Sequence, residues 1–126
     1  MTSCEWYEDP SFDHFEEAHN GRVYKGEAWR RLICAKEQGA DIVQVAGTSF
    51  RKEAIASALK QPYPVVSLEA EASNAFDENA IKVDISGEHV GYIPKSMISS
   101  ISPGSRARLI HWGIGPGPHI TLAVSA

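Results

Sequence analysis

From Pro64 onward the chain consists of short β-type segments bounded by turn residues, and this pattern constrains the fold more than any other feature. The segments are residues 65–70, 80–85, 89–93, 106–112 and 119–124. Ser86 and Gly87 separate the second segment from the third, as a two-residue hairpin loop would. Residues 41–47 add a β-branched segment that ends in glycine. Six short strands predict a closed or nearly closed β-barrel, because an open sheet of this kind would expose its edges.

Two or three short helices are predicted beside these strands, so the fold class is mainly β. Residues 27–36 repeat apolar side chains at helical spacing, which predicts an amphipathic helix. Ser49 can cap a second helix, whose apolar side begins with Phe50 and which ends before Pro62. Pro94 suits the first turn of a short third helix.

Charge divides the chain near residue 40. Residues 1–20 carry six carboxylates and no Lys or Arg, whereas the rest of the chain has 12 basic and 10 acidic side chains, a net charge of +2. Residues 1–40 are therefore interpreted as an acidic leader with an amphipathic helix, and residues 41–126 as the barrel domain. Because the body is only mildly basic, any nucleic-acid affinity is expected to depend on a few placed contacts.

The cysteines and the hydropathy pattern lead to two separate predictions. Cys4 and Cys34 lack the paired spacing of a metal site or a disulfide framework, so both are predicted to be reduced thiols. No apolar run approaches the roughly 20 residues that span a bilayer. The amino end is acidic where a signal peptide would be basic. We therefore expect a cytoplasmic protein with no membrane segment.

Residues 74–83 (NAFDENAIKV) and 90–95 (VGYIPK) bring two aromatic rings, an Asp, two amides and a Lys to one predicted strand pair. These residue types favour binding of a nucleic-acid end over catalysis. Ser49 lies outside a G-x-S-x-G elbow, and the sequence has no GxxxxGK[ST] phosphate loop. The five histidines lack the spacing of a metal site. We therefore expect a protein that is not an enzyme and that uses no cofactor and no metal.

Three segments resemble the HIRAN domain: VAGTSFR at residues 45–51, VVSLEAEASNAFDENAIKV at residues 65–83 and GEHVGYIPK at residues 87–95. The most specific element is the N-x-x-D-x-N-A-I-x-V string that begins at Asn74. The resemblance covers about residues 41–125 and leaves out the leader. It implies a modified, OB-like β-barrel that binds single-stranded DNA or free DNA 3′ ends in repair or replication. A translocase, helicase or nuclease partner is implied as well.

The resemblance also implies roles for individual residues. Phe50 and Phe76 correspond to the rings that stack on bases. Asp77 corresponds to the carboxylate that accepts a hydrogen bond from the terminal 3′ hydroxyl, and Asn74 lines the same pocket. Lys95 corresponds to a basic residue that contacts backbone phosphate. A carboxylate beside phosphates is repulsive unless a hydroxyl donates to it, which is a physical reason to expect end recognition.

Two further residues complete the predicted site. In the eukaryotic members of the family, an arginine precedes the first stacking ring. This chain has Ser49 at that position, and Arg51, two positions further on, is the candidate to take its role. Tyr92 adds a ring, and Trp112 is a further candidate. Rings with nearby cations are what single-strand binding requires, since each stacked base contributes roughly 1–3 kcal/mol. Phe in place of Tyr at the ring positions keeps the stacking surface but removes a hydroxyl.

Each of these residues also has a purely structural interpretation. The three rings can be packed in the core, Asn74 and Asp77 can satisfy the backbone of a turn, and Lys95 can be a solvated residue at a helix start. The alternative function is a barrel of the same fold that makes protein contacts and docks onto a larger DNA-processing machine. A further hypothesis is that the acidic leader folds over the basic face and competes with DNA.

Overall fold

The structure is a computed structural model that describes residues 4, 9–62, 64–115 and 117–125. In this part of the chain it contains two α-helices, α1 (Glu27–Glu37) and α2 (Lys52–Ala58), and eight strands. The strands are β1 (Glu16–His19), β2 (Arg22–Lys25), β3 (Asp41–Gln44), β4 (Val66–Ala70), β5 (Ile81–Ile85), β6 (Glu88–Tyr92), β7 (Arg106–Gly113) and β8 (His119–Ser125). Short 3₁₀ turns lie at Pro10–Phe12, Thr48–Phe50 and Lys95–Ser100. The protein is mainly β, as predicted.

Two three-stranded antiparallel sheets form the body of the fold. One has the strand order β3-β8-β7 and the other has the order β4-β5-β6. A bridge joins them, because Ala46 and Tyr92 exchange backbone hydrogen bonds of 2.8 and 2.9 Å. Gly91 permits this approach, since a Cβ there would lie 2.4 Å from the carbonyl oxygen of Ala46.

A fully closed six-stranded barrel is not found among the described residues, so the predicted closed or nearly closed barrel is supported only in part. β3 ends at Gln44, and at Gly47 the backbone enters the left-handed region with a φ of 76°, which turns the chain away from the ladder. On the opposite side, the Gly104 amide donates to the Leu68 carbonyl (2.9 Å), but β4 and β7 do not pair. All the predicted strands are present, and they pair as two sheets.

The inner faces of both sheets share one hydrophobic core. Ile81, Val83 and Ile85 of β5 are buried at alternate positions, as expected for a strand with one face on the core. Leu122 and Val124 of β8 enter the same core from the other sheet. The core therefore holds the two sheets together where backbone pairing is sparse.

Helix α1 covers the outer face of the β3-β8-β7 sheet. Its apolar side packs Leu32 and Ala35 against Ile42, Ile110 and Ala123 of the three strands. The helix begins at the predicted residue and extends one residue further than predicted. The division predicted near residue 40 stays a prediction. In the described part of the chain, no helix is long and apolar enough to cross a membrane.

The leader contains a hairpin that the sequence analysis did not predict. β1 and β2 pair antiparallel around Asn20 and Gly21, whose φ angles are 52° and 79°. Asn-Gly is the preferred pair for such a turn, so the signal was present in the sequence. Tyr24 of β2 is fully buried, and its hydroxyl lies 3.0 Å from Oγ1 of Thr121 in β8.

Two leader carboxylates are paired with α1. Asp13 forms an ion pair with Arg30 (3.0 Å), and Glu17 forms one with Lys36 (2.8 Å). Ion pairs of this kind typically contribute no more than about 1 kcal/mol, but they neutralise the two leader charges locally. The hypothesis that the leader folds over the basic face and competes with DNA also involves Glu5 and Glu8, which lie outside the described residues.

Cys4 and Cys34 form a disulfide, so the prediction of two reduced thiols is wrong. Their Cα atoms lie 5.7 Å apart, which is an ordinary disulfide spacing. A sequence separation of 30 residues carries no local pairing signal, because the pairing depends on where the fold brings the two residues. The bond attaches the start of the chain to α1.

Candidate functional site

The loop between β4 and β5 is held together by its own side chains. Oδ1 of Asn74 accepts hydrogen bonds from the amides of Phe76 (2.8 Å) and Asp77 (3.0 Å), and Oδ1 of Asp77 accepts one from the amide of Asn79 (2.8 Å). Bonds of this kind stabilise turns. Asn74 and Asp77 therefore have the structural role that the sequence left open. The described residues make no hydrogen bond to the second carboxylate oxygen of Asp77.

This loop presents the Phe76 ring to solvent. Phe76 is 97% exposed, and Phe50, which ends the Thr48–Phe50 turn, is 88% exposed. The Thr48–Phe50 turn is stabilised by a hydrogen bond that Oγ1 of Thr48 donates to the carbonyl of Pro118 (2.8 Å). The interpretation of both phenylalanines as core rings is therefore wrong.

Helix α2 begins later than predicted, and this places Phe50 outside it. The helix starts at Lys52, with Arg51 at its N-cap and no side chain capping it. Ser49 lies within the preceding 3₁₀ turn, so its predicted role as the cap is wrong. Ile55 and Ala58 are the buried residues of α2. Because Phe50 precedes the helix, its ring does not belong to that apolar side.

Glu71 connects the β4–β5 loop to β6. Its Oε1 accepts hydrogen bonds from the Tyr92 hydroxyl (2.8 Å) and from Nδ2 of Asn74 (2.9 Å). The bond from Tyr92, followed by that from Asn74, lowers the pKa of Glu71, since bonds to the ionised form favour it. The same bond raises the pKa of Tyr92. The sequence analysis missed Glu71, because an acid at the end of a strand has no distinctive local signal.

Tyr92 also contacts Arg51. The guanidinium carbon of Arg51 lies 5.3 Å from the centre of the Tyr92 ring, within the range of a cation–π interaction. Nη1 of Arg51 donates to the carbonyl of Gly47 (2.8 Å). A Cβ at Gly47 would lie 3.1 Å from that nitrogen, so glycine leaves room for the arginine. Tyr92 is half-buried, and it holds Arg51 beside the exposed Phe50.

Asp77 and Lys95 line one cleft, which has a volume of about 580 Å³. Ile81, Ile98 and Ile101 line the same cleft and give it apolar walls. Lys95 is exposed at the start of the Lys95–Ser100 turn. The cleft therefore combines a carboxylate and an ammonium group with an apolar surface, and its volume is typical of ligand sites. In the described residues, no three His, Cys, Asp or Glu side chains are placed to hold a metal ion.

These contacts connect the predicted residues around Tyr92. Arg51 stacks on one part of the ring, with Phe50 next to it in the chain. The Tyr92 hydroxyl leads through Glu71 to Asn74, which fixes the loop that carries Phe76 and Asp77. Lys95 joins the set through the cleft that it shares with Asp77. We call this surface the Phe50–Phe76 rim; its residues are Phe50, Arg51, Asn74, Phe76, Asp77, Tyr92 and Lys95.

Comparison with known proteins finds a similarity to a solved structure. No family model matches the chain, and no curated protein is significantly similar to it. Among solved structures, the chain is similar to the crystal structure of the HIRAN domain of human HLTF, with a TM-score of 0.44 and 18% sequence identity. The match covers 69% of this chain and 78% of that one. That structure is a member of the family that the sequence motifs resemble.

Proposed function

We propose that this chain is a HIRAN-type module that binds single-stranded DNA at the Phe50–Phe76 rim. The observation that carries the proposal is the exposure of the two rings, 88% and 97%, on loops linked through Tyr92. An exposed phenylalanine buries almost no area and so adds little to folding stability. On a single strand, each ring can stack on a base for roughly 1–3 kcal/mol. Arg51 and Lys95 supply positive charge for the phosphates.

We further propose that Asp77 recognises a free 3′ hydroxyl. One carboxylate oxygen is engaged by the Asn79 amide, which fixes the orientation of the group, and the other is available to accept a hydrogen bond. The carboxylate lines a cleft that also contains Lys95. A terminal hydroxyl can donate to Asp77, whereas a terminal phosphate is repelled by it.

The proposal includes a non-catalytic role and a cytoplasmic location. The rim offers stacking surfaces, cations and hydrogen-bond acceptors, and we assign none of its residues a chemical step. Any chemistry on the DNA then belongs to a partner, for which a translocase, helicase or nuclease is the class that the sequence resemblance implies. The module would hold the strand end for that partner in repair or replication.

The ring contribution is tested by titrating a fluorescent single-stranded oligonucleotide with the intact protein and with the variants Phe50→Ala and Phe76→Ala. We expect each variant to weaken binding by roughly 5- to 150-fold, the equivalent of one lost stacking contact. Val23→Ala is the matched control, because Val23 is also an exposed apolar residue, at 55%, and lies on β2.

The same titration separates the rival function. Phosphate contacts release counterions, so DNA affinity should fall steeply as salt rises. If the intact protein binds no oligonucleotide, or if both phenylalanine variants bind like Val23→Ala, the proposal is wrong. The exposed rings would then be assigned to contacts with another protein.

End recognition is tested by comparing an oligonucleotide that has a free 3′ hydroxyl with its 3′-phosphorylated counterpart. The intact protein should prefer the hydroxyl, and Asp77→Asn should reduce that preference, because the amide no longer repels phosphate. Asparagine keeps an oxygen that can accept from the Asn79 amide, so the loop should be preserved. Equal affinity of the intact protein for the two oligonucleotides would remove Asp77 from this role and leave strand binding untouched.

A further inference from the structure

The part of β7 beside α1 carries a second group of cations, and a ring at the end of the strand, that the Phe50–Phe76 rim does not use. Arg106 and Arg108 are exposed and alternate along β7. Alternate residues of a strand point to the same side, and both arginines line one groove of about 440 Å³ together with Gln38, the C-cap residue of α1. We call this face, with Arg31 and Trp112, the β7 arginine strip.

Two grooves and one ring contact connect Arg106 with Trp112. Arg108 lines a second groove, of about 320 Å³, together with Arg31 and the disulfide, and its Nη2 donates to Oε1 of Gln38 (2.7 Å). The guanidinium carbon of Arg31 lies 5.2 Å from the centre of the Trp112 ring. Trp112 is 41% exposed. Two grooves that share Arg108, together with one cation–ring contact, therefore connect three guanidinium groups to one accessible indole ring.

The charges of the strip are largely uncompensated. In the described part of the chain, neither Arg106 nor Arg108 forms an ion pair, and Arg31 pairs with Glu27 (2.6 Å). Arg31 is held in place because its Nε also donates to the carbonyl of Ile110 (2.9 Å). Guanidinium groups present planar forks that match phosphate oxygens. The strip thus offers phosphate donors with a stacking surface at one end.

We propose that the β7 arginine strip binds the phosphate backbone of single-stranded nucleic acid, with one base stacked on Trp112. Cations along a groove together with an aromatic platform are the combination that single-strand binding uses. Arg106 follows three residues after Pro103, which lines the Asp77–Lys95 cleft, so the two Cα atoms are at most about 11 Å apart. A strand held in the cleft can therefore continue onto the strip. The strip goes beyond the proposed function of the rim and is tested separately.

The test is a fluorescence-anisotropy titration of single-stranded oligothymidine at several salt concentrations, using the full chain. The strip variant carries Arg106→Gln and Arg108→Gln. We expect it to bind roughly tenfold more weakly than the unmodified chain, with a salt slope smaller by about 1.4, or roughly 0.7 for each lost phosphate contact on a single strand. Trp112→Leu should also weaken binding, and Trp112→Phe should restore most of the affinity because it keeps a ring.

The matched control carries Lys25→Gln and Lys60→Gln. Both lysines are exposed, and neither lines the Asp77–Lys95 cleft or the two grooves of the strip. The control therefore loses the same charge at other positions. If the strip variant and the control have the same affinity and salt slope, the strip proposal is wrong.

A background that lacks the rim rings separates the two proposals. The strip substitutions are repeated in a chain with Phe50→Ala and Phe76→Ala. A drop in salt slope that persists there supports the strip even if the rim proposal has failed. Loss of binding from the phenylalanine substitutions alone, with no effect of the arginine substitutions, supports the rim and overturns the strip.

Discussion

Tyr24 and Phe76 lie in opposite environments. Tyr24 is fully buried between the leader hairpin and the β3-β8-β7 sheet, with its ring 5.1 Å from that of His111 and its hydroxyl 3.0 Å from Thr121. Phe76 is 97% exposed, and its backbone amide is bound by Asn74. The difference separates the two tasks of the molecule. The layer around Tyr24 stabilises the fold, whereas the Phe50–Phe76 rim presents apolar surface that folding does not use.

The largest predicted effect is on stability at Tyr24. Tyr24→Ala removes a large buried side chain and leaves Thr121 without its partner, so we expect a loss of about 3–5 kcal/mol in the free energy of unfolding. Phe76→Ala should change it by no more than about 0.5 kcal/mol, since the residue is exposed. Denaturant unfolding of both variants measures the contrast. Similar losses for the two variants would contradict it.

A smaller loss of stability is expected when the disulfide is removed. The bond closes a 30-residue separation between Cys4 and α1, for which the chain-entropy treatment gives about 3–4 kcal/mol. Cys34→Ser should lower the thermal midpoint of the unmodified chain. A reducing agent should leave the thermal midpoint of this variant unchanged. It should lower the thermal midpoint of the unmodified chain to a value close to that of the variant. If reductant leaves the thermal midpoint of the unmodified chain unchanged, the bond contributes no stability.

The strands were predictable because their signals are local. Alternating burial in β5, the Ser86-Gly87 turn and the helical spacing of α1 each depend on residues that are close in sequence. The barrel closure, the disulfide and the burial of Tyr24 depend on residues far apart in the chain. Local spacing therefore predicts the elements but not how they pair.

The candidate site shows the same division. The Asn74 and Asp77 turn bonds follow from residue type and position, and the sequence allowed for them. The exposure of Phe50 did not follow, because one shift of the α2 start moved it from a helix face to a turn. Glu71 was missed since its role depends on Tyr92, which lies 21 residues further along the chain. Side-chain direction and long-range partners thus required the structure.

At the Phe50–Phe76 rim, Glu71→Ala should weaken DNA binding by roughly fivefold, because the hydrogen bonds that orient Tyr92 and Asn74 are lost. Glu71 acts as a positioning residue, so Glu71→Gln, which retains an acceptor oxygen, should restore most of the affinity. Anisotropy titration measures both variants, and denaturant unfolding should show little change. A Gln variant as weak as the Ala variant would mean that the carboxylate charge matters more than the hydrogen bonds.

The pH response of Glu71 follows from the direction of its pKa shift. Because the pKa is lowered in the folded chain, its contribution to stability is complete above the ordinary glutamate pKa of about 4.3. That contribution is lost as the pH falls through the lowered value. The rim network should therefore remain intact at mildly acidic pH.

The buried side of the molecule should respond at a higher pH, with a small effect. His111 and His119 have rings stacked 5.1 Å apart beside Tyr24, and burial, followed by the nearby Arg22, lowers the pKa of both imidazoles. Nδ1 of His119 is buried without a hydrogen-bond partner among the described residues. Burial without a partner favours the neutral form of the ring.

The sign of the effect follows from linkage. The unfolded chain binds protons at these histidines at a higher pH than the folded chain does, so their contribution to stability is complete above about pH 6.5 and falls as the pH drops below that value. We expect the thermal midpoint to fall by a few degrees at most between about pH 7 and pH 5.5. His119→Gln should flatten this dependence, whereas His14→Gln, at an exposed position, should leave it unchanged. An equal slope in all three proteins would show that acid acts on another part of the fold.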